Sequence, residues 1–106
     1  EVAENTLEAG KKTLASSITS AYRSIEEAKK TIDYLGDYEL LAQQSADLSQ
    51  RAYDAGEISY RELAESQKSL SQAHLSLLAE QVNHTLLIHE LAHLLQVSTT
   101  TLYKES

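Results

Sequence analysis

The sequence predicts an all-α chain folded as a long antiparallel helical hairpin, coiled-coil-like in its packing. Three observations carry that expectation. Ala, Glu, Lys, Leu and Arg make up 51 of the 106 residues, with no Pro and only three Gly, a composition typical of long helices and coiled coils. Apolar residues recur every seven positions on both sides of the middle of the chain. One segment, around Gly56, gathers the residues that end one helix and begin the next.

The first arm is expected over about residues 2–55. Leu7, Leu14, Ala21, Ala28 and Leu35 repeat every seven, and Ile18, Ile25 and Ile32 form a companion row. Beyond Gly36 the apolar phase reads as slipped by about one residue, to Leu41, Leu48 and Ala55 with Tyr38, Ser45 and Ala52. A mid-helix Gly costs only about 1 kcal/mol against Ala, so a continuous arm bent at Gly36 competes with a helix break capped by Asp37.

The turn is expected at residues 56–58. Gly56 suits the left-handed residue just past a helix end, where a Cβ is penalised. Ser59 is placed to cap the next helix, and Glu62 three residues on can reach back to complete a capping box. Ile58 and Leu63 occupy the positions of a hydrophobic staple. Arg51 before the turn, and Glu62 and Glu65 after it, match the two helix dipoles. So short a connection makes the arms antiparallel.

The second arm is expected over about residues 59–97. Leu63, Leu70, Leu77 and Leu91 keep a seven-residue row interrupted by His84, and a second row gathers Leu75, Leu78, Val82 and Leu86. One hairpin partner covers one stripe, so the second row is expected to meet another chain or another part of a parent protein. Ser98-Thr99-Thr100-Thr101 is a poor helix interior, so 98–106 reads as a tail. At about 1.5 Å per residue the first arm would be about 80 Å long, a rod rather than a ball.

Charge and composition narrow the function classes. The formal net charge is -7, which disfavours nucleic acid and anionic lipid as partners, since both reward clustered Lys and Arg. With no Cys there is neither a thiolate metal site nor a cysteine nucleophile. Apolar runs are too short for a helical membrane span. A chain without Met that begins at Glu1 reads as a processed product or an excerpt, from which a signal peptide could have been removed.

The chemistry-bearing strings are few. His89-Glu90-Leu91-Ala92-His93 fits the H-E-x-x-H pattern of zinc metallopeptidases, with both imidazoles on one helix face and Glu90 as a candidate base. A third ligand is missing. The only downstream carboxylate is Glu105, and His84 projects about 140° around the helix from His89. His74, His84, His89 and His93 also offer an intermolecular metal site or pH sensor. The expectation is nevertheless a protein with no cofactor, no catalysis and no built metal site.

The turn carries a family resemblance. Arg51-Ala52-Tyr53-Asp54-Ala55-Gly56-Glu57-Ile58-Ser59, then Glu62-Leu63-Ala64-Glu65-Ser66-Gln67, Leu70, Ala73 and Leu77-Leu78, closing on Leu91-Ala92-His93-Leu94-Leu95-Gln96, resembles the TolC-type outer-membrane efflux proteins. The pattern matched is R-x-Y-x-x-G-x-x-S, an E-L-L-x-A-Q-like stretch, L-x-x-A and L-x-x-L-L-G, with Gln96 in place of the last Gly. Ala64 and Ser66 depart from the second stretch.

The resemblance implies one hairpin of a periplasmic α-barrel belonging to a homotrimeric outer-membrane channel. It makes Tyr53, Gly56, Glu57 and Ser59 the tip that docks a periplasmic adaptor protein, which in turn links the channel to an inner-membrane pump. Leu14, Ile18, Ile25, Ile32, Leu41, Leu48, Leu63, Leu70, Leu77 and Leu91 are then the residues expected to pack helix against helix. Two alternatives from other classes are a compact three-helix interaction module, broken at both Gly36 and Gly56, and a zinc peptidase fragment using His89 and His93.

Overall fold

The computed structural model describes residues 2–105, with side chains described over 7–100. It consists of two helices, α1 (Val2–Asp54) and α2 (Tyr60–Glu105), paired antiparallel as a hairpin, with no strand among the described residues. The all-α hairpin expectation holds.

The three-helix alternative does not. α1 runs unbroken through Gly36, because a single helical glycine costs only about 1 kcal/mol and the seam positions on either side, Ile32, Leu35, Glu39 and Ala42, keep the helix packed. A Cβ added at Gly36 meets nothing within 4 Å. Gly36→Ala is therefore expected to stabilise the hairpin by about 0.5–1 kcal/mol, read as a higher midpoint in thermal unfolding.

The expected tail is also corrected. α2 continues through Ser98 and the threonines to Glu105, where sequence reading ends the arm near Val97; Ser106 lies outside the described residues. The hydroxyls of Thr99 and Thr100 are satisfied within the helix, Thr99 Oγ1 donating to the Leu95 carbonyl and Thr100 Oγ1 to that of Gln96, each at 3.0 Å. This back-bonding lets hydroxyl residues sit in a helix they favour only weakly.

The hairpin divides into two units, one comprising Lys29–Val82 and containing the turn, the other comprising the residues up to Ala28 and from Asn83 onwards. In the second unit the seam uses Ala21, Ala28 and Leu91 as buried residues, with Leu14, Ile18, Ile25, His84, Leu87 and Leu94 half-buried. These fall on the seven-residue rows of their helices, and Ser17 and Ser24, also half-buried, flank those rows on α1.

In the turn-bearing unit the seam corrects the expected slip of phase. Ile32, Leu35, Gly36, Glu39, Ala42, Ala46, Ser49 and Ala52 are the buried or half-buried positions of α1, continuing the row of Leu35 by sevens to Ala42 and Ser49. Leu41 and Leu48 face outwards, 63% and 64% exposed. They are not packing residues within the hairpin. Across from α1 lie Leu63, Ser66, Leu70, Ala73 and Leu77, with Leu63 4% and Ala73 1% exposed.

Small residues hold this seam because helix axes approach according to the side chains between them. Ser49 Oγ donates to Ser66 Oγ at 3.1 Å. Glu39 Oε2 lies 3.4 Å from His74 Nδ1. Both links join residues that lie opposite one another in the antiparallel pair.

Candidate functional site

The turn is built by local chemistry. Gly56 has φ of 75°, the left-handed region that a Cβ disfavours. Its N–H donates to the Tyr53 carbonyl at 2.9 Å, and the Glu57 N–H donates to the Ala52 carbonyl at 2.8 Å. This is the paired-bond ending of a Schellman motif, which satisfies carbonyls that the end of α1 would otherwise leave free.

The start of α2 is built with equal economy. Ser59 Oγ accepts from the Glu62 N–H at 3.2 Å, and the Ser59 carbonyl takes the first helical bond from the Leu63 N–H at 3.2 Å. Ser59 is thus the N-cap expected from sequence. The return half of the capping box, from the Glu62 carboxylate to the Ser59 N–H, is not made among the described hydrogen bonds. Ile58 is half-buried and Leu63 buried, as the two ends of a staple require. Ser59→Ala is expected to cost about 1 kcal/mol, measured as a lower denaturation midpoint with unchanged helix content at low temperature.

Sequence reading missed one tip feature. The rings of Tyr53 and Tyr60 meet edge to face across the turn, centroids 6.1 Å apart and planes at 67°. Such a pair adds about 0.5–1.5 kcal/mol beyond its buried area. The signal was present in the spacing: Tyr53 lies in the last turn of α1 and Tyr60 is the first residue of α2, so a tight connection brings them together.

All four predicted tip residues are therefore at the turn, and Tyr53, Gly56, Glu57 and Ser59 are all exposed. The surroundings are acidic. From Asp33 to Glu65 the sequence has eight carboxylates against two cations, Arg51 and Arg61. Arg61 Nε lies 3.9 Å from Glu65 Oε1 on the open surface, a contact of small energetic weight.

Above the turn, between the helices, runs a groove of 660 Å³ lined by Tyr38, Leu41, Leu48 and Ile58 on its apolar side and by Glu62 and Glu65 opposite. Leu41 and Leu48 thus line an open groove and remain largely exposed. On α2 the second row behaves as its spacing predicts: Leu75, Leu78 and Val82 in this unit are exposed, as is Leu86 in the other. Apolar side chains of this size left open along both helices are not part of the hairpin core.

The histidines are dispersed. His74 pairs with Glu39, His84 is half-buried on the seam, and His89 and His93 are exposed on α2. Among the described residues no three His, Cys, Asp or Glu side chains gather as a metal site, so the zinc-peptidase pattern lacks a third ligand there; the side chain of Glu105 lies outside the described residues. No described helix is long and apolar enough to cross a membrane. Comparison with family models, with curated proteins and with solved structures finds no match.

Proposed function

We propose that the chain is a hairpin of a periplasmic efflux tunnel, of the TolC-type outer-membrane class, whose turn docks a periplasmic adaptor of a tripartite pump. The observation that carries this reading is the pairing of a closed, glycine-dependent turn in the resembling motif with exposed leucine rows on both helices. A free-standing hairpin has no use for two such rows. A stave does: each row meets a neighbouring stave, the seam holds its own two helices, and the turn is left free to bind.

In this reading the protein is conductive and structural. No covalent step is assigned to any residue. The parent channel is a homotrimer in the outer membrane, and the hairpin lies in the periplasm, linked to the inner-membrane pump only through the adaptor. The carboxylates around the turn select an adaptor surface with Lys or Arg, which makes docking faster at low salt.

Because the chain has no Cys, side-by-side packing can be tested by cross-linking. Leu48→Cys and Val82→Cys in one chain are expected to give disulfide-linked oligomers on mild oxidation. Control cysteines at the charged, exposed positions Lys30 and Lys68 should not. Monomers from both pairs would remove the stave assignment.

A further inference from the structure

We propose that His89 and His93 together chelate one divalent transition-metal ion of the nitrogen-preferring class, such as nickel, copper or zinc, on the exposed face of α2. Neither residue belongs to the buried or half-buried seam of its unit. His74 is engaged by Glu39 at 3.4 Å and His84 is half-buried between the helices, whereas His89 and His93 are both exposed and four residues apart on one uninterrupted helix. That spacing sets their Cβ atoms about 5–6 Å apart on one face.

Imidazole nitrogens bind such ions at about 2.0–2.1 Å, so two cis ligands need their nitrogens about 3 Å apart. Two side chains leaning towards each other from adjacent turns meet that requirement. Glu90 is rotated about 100° from His89 around the helix and is not a ligand. Two protein ligands and open water positions make a chelate, weaker than a closed structural site and unlike the three-ligand centre of a zinc peptidase. The net charge of -7 adds a general attraction for cations.

The helix is what makes the pair a chelate. In the unfolded chain the two imidazoles have no fixed separation, so binding favours the folded state and raises its melting midpoint with metal concentration. Affinity should follow the order copper above nickel, with zinc below copper.

Nickel titrated into the full chain by calorimetry, with thermal unfolding followed in parallel, tests the site. The expected result is one ion per chain and a midpoint that rises with nickel. His89→Ala and His93→Ala should each weaken binding by roughly tenfold or more and abolish the rise, while His74→Ala binds as the unaltered chain does. Adding Ala92→His to His93→Ala should restore binding, because positions three apart also share a face; adding Gln96→His should not, being two turns away. Nickel affinity unchanged by either alanine substitution, or no stoichiometric binding, would overturn the proposal.

Discussion

Gly56→Val lowers the stability of the hairpin by about 2 kcal/mol and opens its turn. The left-handed backbone at φ of 75° costs an ordinary L-residue about 1–2 kcal/mol, and a β-branched side chain is worse accommodated there. Relaxing that strain means rotating the peptide planes that carry the Gly56 and Glu57 N–H groups away from the Tyr53 and Ala52 carbonyls. The Tyr53–Tyr60 ring contact depends on the same closure. Gly56→Asn is the informative control, since Asn enters the left-handed region far more readily than Val. Its loss should be clearly smaller. Equal losses from Asn and Val, measured by urea unfolding, would mean that backbone conformation is not what glycine contributes.

Leu63→Ala is the second large effect, and it acts through packing. Leu63 is 4% exposed and sits where the staple and the seam coincide, facing the small residues near the end of α1. Core Leu→Ala substitutions cost about 2–5 kcal/mol. A two-helix seam is open to water at its sides, so the value here should be near 2 kcal/mol. By contrast Leu41→Ala and Leu48→Ala, both of exposed leucines, should leave the stability of the isolated chain within about 0.5 kcal/mol. Three leucines of equal size and unequal effect separate seam from outward surface in one unfolding series.

Those leucines also show what the sequence made legible and what it hid. The turn could be read almost atom by atom, because helix capping is decided by residues within five positions of one another: Gly56 for its backbone, Ser59 for its hydroxyl, Ile58 and Leu63 for their staple. Before the turn, periodicity misled. Leu41 and Leu48 are large apolar residues spaced by seven, while the true seam runs through Ala42, Ala46 and Ser49, which carry little hydrophobic signal. Where small residues of one helix face leucines of the other, as here, the large side chains of the first helix are left on its outer face.

The threonines at the end of α2 misled for a related reason. Propensity counts them against a helix, but Thr99 and Thr100 satisfy their hydroxyls on carbonyls one turn back. The histidine string was legible as spacing only. Whether His89 and His93 had a third partner depended on which faces met across the hairpin, which no local pattern encodes.

The most direct test of the efflux-hairpin account is equilibrium binding of this chain to the soluble hairpin domains of periplasmic adaptor proteins, repeated with Tyr53→Ala, with Glu57→Lys and with Gly56→Val. The account predicts saturable binding to at least one adaptor hairpin, weakened by added salt and by each substitution at the turn, and unchanged by His89→Ala. Failure to bind any adaptor hairpin, or binding that persists undiminished when Tyr53, Gly56 and Glu57 are altered, would contradict it.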